Sequence, residues 1–487
     1  FDAHENPLEF LYSMDVEILE ISQPFTLGGD TLNRTREIRF RPKERVDSLI
    51  REMNLRDEVE FAERVPLTKI FHKPNDPLYS TTVYGYNWNW YLDKIEAEAA
   101  WEISKGSANI KIAVVDNAVY TDHPDLKNKV IAERDESDKD SDANPPPASN
   151  NYDEYVWSHG TFCSGLAAAE SNNAVGIASI GYNISLIAVK SSPDTATGEY
   201  TYHGTAGVQW AAQAGADIIN ASWGGTGYSS VQNNFYENLK NNGIIVVAAA
   251  GNEGNAGNPK IYPAAYNAVI AVGATNADDT RASFSQYGAW LDISAPGGFS
   301  PEENTSYKIS LLSTSYNDTY AAQPAITGKY DISQGTSLAA PIVTGLLGLM
   351  KSEDPGISYQ DLKNCLLWGS EDIDPVNQAQ YAGLMGAGRI NAKNSMQCIT
   401  GTKVKENNTL EHIVLAPNPS NGNFRIQHLS EHKFLIEIFD ITGKKLIQKE
   451  MNNNAINVSS LNSGVYMVKI STEKAQTMQK MVIQSGK

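Results

Sequence analysis

Three side chains far apart in this chain are of the types that acyl transfer requires. Ser337 stands in "DISQGTSLAAP", His159 in "WSHGTFCSGLAAA", and Asp116 closes "IKIAVVD". A serine hydroxyl becomes a nucleophile when an imidazole takes its proton and a carboxylate holds that imidazole in the right tautomer. Each residue also has an ordinary reading. Thr-Ser before an apolar run caps a helix, a histidine in a first turn is structural, and an aspartate after a strand makes a turn. Asn252, in "AAAGNEG", adds an amide donor of the kind a developing oxyanion needs, with glycines that let backbone approach closely.

The elements that carry these residues follow from hydrophobic pattern. "IKIAVVD", "ISLIAVK", "ADIINAS", "GIIVVAAAGN" and "AVIAVGAT" are short β-branched runs separated by helical stretches such as "GTAGVQWAAQAG" and "SVQNNFYENLKNNG". Alternation of this kind predicts an α/β fold, a doubly wound, mostly parallel sheet with helices on both faces. In such sheets functional groups gather at the carboxyl ends of the strands. Upstream, "EIRFRPKERVDSLIREMN" reads as strand then amphipathic helix, and "EVEFAERVPLTKIF" as a strand. Downstream of a polar stretch, "KFLIEIFD", "GVYMVKIS" and "KMVIQ" alternate at period two between Gly and Asn turns, as in a small β-sandwich. The expected organisation is an N-terminal α+β segment (1–75), a catalytic-type domain (76–400), a linker (401–413) and a sandwich (414–487).

Composition narrows the function. The 487 residues hold 39 Lys and Arg against 57 Asp and Glu, a net charge of −18. That balance argues against nucleic acid as a partner and leaves room for bound cations. No window approaches the roughly 18 apolar residues of a membrane helix. The chain opens at Phe1 without a basic-then-apolar leader, which decides nothing about export. Three cysteines are too few for a disulfide framework. Cys365 and Cys398 read equally as a pair or as two buried thiols. Cys163 follows His159 by one helical turn and reads as small buried filler. Residues 133–142 carry six carboxylates, among them Asp135, Asp140 and Asp142, which suit either a solvated loop or a calcium loop.

Taken together, "VVDNAVYTDHPDL", "HGTFCSGLAAA", "NASWGG", "AAAGNEG", "YPAAYNAVIAVGAT", "ASFSQYG", "LDISAPGG" and "GTSLAAP" resemble, in order, the signature blocks of the subtilisin-like serine proteases over about 85–395. The order Asp, His, Ser is also that family's. The resemblance implies Ser337 as nucleophile, His159 as general base, Asp116 as its orienter, and Asn252 with the Ser337 N–H as oxyanion hole. It implies that Ser222, Trp223 and Gly224 form the strand that pairs with an extended substrate. Asn117, Ala118 and Leu338 depart from the usual residues without removing a reacting atom.

The same resemblance implies structural calcium and no organic cofactor. Asp125 and Asn173 match side-chain ligands of a subtilisin site, with carbonyls near Ser171, Val175 and Ile177, although one residue is inserted before that loop. Asp135, Asp140 and Asp142 match calcium ligands in the acidic loop of kexin-like proteases. Glu253 is expected at the rim of the specificity pocket and Ile261 at its base, giving broad endopeptidase activity with a lean toward Lys. Residues 1–75 resemble a truncated pro-region, with an unrelated module as the alternative. "LAPNPSNGNF", "IEIFDITGKKL" and "LNSGVYMVKI" resemble the C-terminal sorting domain of the type IX secretion system of Bacteroidetes. The expectation is a secreted or surface-attached monomeric serine endopeptidase, with peptide substrates and the secretion machinery as partners. A selective processing protease and an inactive surface-binding homologue are the alternatives.

Overall fold

Strands apolar on both faces are stable only inside a covered sheet. The computed structural model describes residues 16–24, 33–42, 45–56, 59–65, 73–80, 82–83, 86–147, 153–299, 310–317, 329–402, 414–416, 418, 420–427, 433–440, 445–452, 455–472 and 476–483. It joins seven strands in one parallel sheet. Across the sheet the order is Ile293–Pro296, Val269–Thr275, Ile245–Ala249, Ile218–Ala221, Lys111–Asp116, Ser185–Lys190 and Val130–Asp135. Alternate residues of the strand Lys111–Asp116 feed opposite cores. Ile112 and Val114 pack with Leu166 and Leu346, while Ala113 and Val115 pack with Val208 and Tyr236. The helices His159–Ala168 and Thr336–Glu353 therefore cover one face, and Gly204–Gln213 and Ser230–Asn241 the other.

Chain order reverses at Lys111–Asp116. The next two strands of the chain lie to one side of it and the remaining four to the other. Its carboxyl end is thus the topological switch point, where a crevice must open. The edge strand Val130–Asp135 was hidden in the sequence pattern because Ile131 faces out and Glu, Arg and Asp end the run.

Cys365 and Cys398 form a disulfide with Cα atoms 5.5 Å apart, joining the helices Tyr359–Trp368 and Ala392–Thr402. This settles the open reading in favour of the pair.

Residues 1–72 form a separate compact unit. In it Glu17–Ser22 pairs antiparallel with Glu37–Arg41, and Leu49 of the helix Val46–Asn54 packs against Ile18, Ile21, Ile38 and Phe40. The expected strand in "EVEFAERVPLTKIF" is not found over 59–65, where Phe61 and Val65 are exposed and no strand pairs with them; 66–71 lie outside the described residues. At the other end, a three-stranded and a four-stranded antiparallel sheet enclose Phe424, Ile436, Ile438, Val468, Ile470 and Ile483. Along Gly464–Ser471 the buried Tyr466, Val468 and Ile470 alternate with the less buried Val465, Met467, Lys469 and Ser471, the period of a sandwich strand.

Candidate active site

Asp116 ends the switch-point strand and is buried. Its Oδ1 accepts from Asn117 N at 2.8 Å and lies 2.7 Å from His159 Nδ1. The helix bearing His159 can approach this closely because its second residue is Gly160. A Cβ there would lie 2.2 Å from the Ala118 carbonyl and 2.6 Å from Asp116 Cβ. Burial disfavours the imidazolium, but the adjacent Asp116 carboxylate more than offsets this, and the His159 pKa is raised. With Nδ1 committed to Asp116, Nε2 is the basic nitrogen.

Ser337 is the second residue of the helix Thr336–Glu353 and does not cap it. Its Oγ donates to the Ser222 carbonyl at 3.1 Å. Thr336 instead holds Asn252, whose Oδ1 accepts from Thr336 N at 2.9 Å and Oγ1 at 3.0 Å. The carboxamide is thereby turned so that its NH2 is the free end. Gly335 has φ 146°, and a Cβ there would stand 3.4 Å from Asn252 Nδ2 and 3.6 Å from Ser337 N. Glycine keeps open the space that both donors face. Asp116, His159 and Ser337 thus line one cleft, and the Asn252 carboxamide is held at the start of the Ser337 helix, which brings together the side-chain types that acyl transfer uses.

The cleft, about 870 Å³, is lined by Asp116, His159 and Ser337 and extends past Trp223, Tyr200 and Tyr202. Trp223 Nε1 donates to the Val115 carbonyl at 2.8 Å, which fixes the Ser222–Gly224 segment against the central strand. Ile261 lies between Gly224 and Gly251. Cβ atoms on those glycines would fall 2.4 Å from its Cγ2 and 2.8 Å from its Cγ1. Glu253 is exposed, and its N–H donates to Gln286 Oε1 at 2.8 Å.

Asp125 is buried and accepts from Asn173 Nδ2, Ile177 N and Tyr330 Oη, each at 2.9 Å. Burial first, and then the nearby Asp76 charge, push its pKa up to about 6. Asp76 is buried too, raised by desolvation, and accepts from Asn172 N at 2.7 Å. Among the described residues no ion pair reaches either carboxylate. Two buried carboxylates, one raised by the charge of the other, are of the chemistry that suits a hard divalent cation. Ser171 is buried in this loop, Val175 is exposed, and Asn173 turns its oxygen to Val175 N and its amino group to Asp125.

The acidic loop departs from expectation. The Asp135 carboxylate is grouped with those of Asp138 and Asp194, while Asp140 meets Asp135 through its backbone carbonyl, which accepts from Asp135 N at 3.1 Å. Asp140 Oδ1 is engaged by Asp142 N, and Asp142 Oδ1 by Asn144 N and Nδ2, so these two exposed residues serve their own turns. Lys190, opposite Asp135 in the sheet register, lies 2.7 Å from Asp135 Oδ2 and also contacts Asp194. Asp76 and Lys190 were not singled out in the sequence. Asp76 sits in a Pro-Asn-Asp-Pro turn far from its partners, and Lys190 closes a strand run. Cys163 is buried, its thiol pKa pushed up by desolvation, and its Sγ donates to the Ser337 carbonyl at 3.3 Å.

Residues 107–406 match the Subtilase family, and residues 414–484 match the Secretion system C-terminal sorting domain. Thermitase of Thermoactinomyces vulgaris is 38% identical over 282 residues, covering 58% of this chain and 86% of its own. The thermophilic serine proteinase of Bacillus sp. (strain AK1) is 37% identical over 309 residues, 63% of this chain and 67% of its own. Among solved structures, a protease from Pseudoalteromonas arctica PAMC 21717 superposes with a TM-score of 0.55 at 27% identity, over 67% of this chain and all of that one. The chain belongs to the subtilase family of serine endopeptidases and carries a secretion system sorting domain at its C-terminal end.

Proposed function

We propose that the protein is an exported, calcium-stabilised endopeptidase of broad specificity that works through Asp116, His159 and Ser337. The observation that carries this reading is the 2.7 Å contact of His159 Nδ1 with buried Asp116 in the cleft that holds Ser337. The substrate chain lies along Ser222–Gly224 as an added strand. Ser337 Oγ leaves its bond to the Ser222 carbonyl, passes its proton to His159 Nε2 and attacks the scissile carbonyl carbon. The oxyanion is met by Asn252 Nδ2 and Ser337 N–H, where one donor is worth about 3–4 kcal/mol. His159 then protonates the leaving amine, giving an acyl-enzyme. Water, deprotonated by His159, attacks that ester and regenerates Ser337. Asp116 stays ionised and stabilises each imidazolium.

Asp76 and Asp125, with carbonyls near Ser171, Val175 and Ile177, would hold calcium, and Asn173, whose amino group faces Asp125, would have to turn its oxygen to join them. The ion supplies charge compensation and rigidity there. Ile261 shortens the specificity pocket, which favours small and medium side chains, and Glu253 adds a lean toward Lys. Residues 1–72 act as a pro-region, and residues 414–484 address the protein to the type IX machinery for release or surface attachment. No helix among the described residues is long and apolar enough to cross a membrane.

The test is intact mass and N-terminal sequence of the purified chain beside Ser337→Ala, with and without calcium. Wild type is expected to trim itself between about 60 and 85, near the compact-unit boundary at 72/73, while Ser337→Ala stays whole. No trimming together with no hydrolysis of casein would favour the inactive surface-binding reading.

A further inference from the structure

The carbonyl of Ser337 is a helix group without its usual partner. In an α-helix it would accept from the N–H four residues on. That residue is Pro341, inside the helix, and proline has no N–H. Two side chains from outside the helix supply donors instead, Ser222 Oγ at 2.7 Å and Cys163 Sγ at 3.3 Å. Ser222 is itself oriented from behind, where Asn220 Nδ2 donates to Ser222 Oγ at 2.9 Å. Thr344 Oγ1 lies 3.0 Å from the Ala340 carbonyl and 3.2 Å from Asn220 Oδ1, and its single proton serves the one or the other. Asn220, Ser222 and Thr344 are all buried, so no water competes for these groups.

The exchange between the two serines is reciprocal. Ser222 Oγ–H holds the Ser337 carbonyl, while the Ser222 carbonyl accepts Ser337 Oγ–H at 3.1 Å. A buried carbonyl deprived of its donor would turn to find another. Turning this one moves the Cα and Oγ of the nucleophile.

We propose that Ser222, oriented by Asn220, is a positioning residue whose hydroxyl replaces the helix bond deleted by Pro341 and so fixes the nucleophile. This goes beyond the substrate-pairing role of the Ser222 backbone, and it rests on Ser337 being the reacting serine. Cys163 is the weaker second donor to the same oxygen, a sulfhydryl bond being the poorer of the two.

The experiment measures kcat and KM on a peptide, and the rate at which phenylmethanesulfonyl fluoride sulfonylates Ser337. Sulfonylation forms the Ser337 O–S bond and releases fluoride and the hydroxyl proton, and the small reagent does not use the substrate-pairing strand. Ser222→Ala and Ser222→Thr are made in the wild-type chain and in Pro341→Ala, with thermal unfolding as a check on folding. Ser222→Ala is expected to lower kcat and the sulfonylation rate about tenfold with KM within about twofold, and Ser222→Thr to recover most of the loss. In Pro341→Ala, which restores an N–H at that position, the same change is expected to cost less than about threefold. An equal loss in both backgrounds, or unchanged sulfonylation with a raised KM, overturns the proposal. Should Pro341→Ala not fold, the contrast of Ser222→Ala with Ser222→Thr toward the sulfonyl fluoride decides it alone. Failure of wild type to be labelled at Ser337 would refute the nucleophile assignment itself.

Discussion

Asp135 and Asp125 are both buried carboxylates on the same domain, yet the chain treats them in opposite ways. Asp135 receives a cation from the fold, since Lys190 arrives through the register of the neighbouring strand and lies 2.7 Å away. Among the described residues Asp125 receives only neutral donors, and the charge that raises its pKa is another acid, Asp76. A buried charge is tolerated when it is paired, and otherwise it holds its proton or recruits an ion. The sequence offered both as cation sites, and only the fold distinguishes the acid that has a lysine partner from the one that does not. The crowded loop carries its own counterion, and the sparse site lacks one.

The largest effect that would break this contrast is expected from Lys190→Met. Removing one partner of a buried pair costs about 3–5 kcal/mol, so the urea midpoint should fall sharply in chelator. Calcium should recover part of that loss, because Asp135, Asp138 and Asp194 then resemble the Asp125 site. A Ser337→Ala background prevents autolysis during these measurements. No recovery by calcium would mean that Lys190 is merely a packing and hydrogen-bonding group.

Next in size is the pH response of the chelated protein. The Asp125 pKa rises from 3.8 to about 6 on folding, so the folded chain binds this proton more tightly than the unfolded one. Its contribution is therefore fully present below about pH 4 and fades as pH rises through about 6. At about 1.4 kcal/mol per unit, this is on the order of 3 kcal/mol. In EDTA, stability is expected to rise from pH 7 to pH 5; in calcium, which needs the ionised carboxylates, acidification is expected to weaken it. Asp125→Asn should remove the calcium-dependent trend and reduce the other, the remainder coming from Asp331, whose pKa burial also pushes up to about 6. A pH response identical with and without calcium would remove the site from consideration.

The smallest effect belongs to Asp140→Asn. That side chain is exposed and serves a local turn, so the unfolding free energy from urea titration should change by less than about 0.5 kcal/mol in either medium. A calcium-dependent loss there would restore the loop as a metal site.

What was legible in the sequence divides along physical lines. The strand and helix ends that carry Asp116, His159 and Ser337 were readable because such ends show in local pattern, and Asn252 lies just beyond another strand end. The interior strands were readable because burial on both faces leaves an unbroken β-branched run. The edge strand Val130–Asp135 was not, since one exposed face and a charged end erase that mark. Asp76 and Lys190 escaped notice for a further reason. Each acquires its meaning from a group on another element, and only strand register or loop docking brings the two together. The Ser222–Ser337 exchange is of the same kind.

The crosslink between Cys365 and Cys398 carries a mechanical consequence. It lies in the last helix before the sorting domain, so a pull on the tail can peel away only the final turn before it loads a covalent bond. Tension is then passed to Tyr359–Trp368 instead of unravelling Ala392–Thr402 from its end. Single-molecule stretching is expected to extend the C-terminal sandwich first, and to extend the residues between the two cysteines only after reduction. The clasp gives the folded protease a fixed point to be towed by.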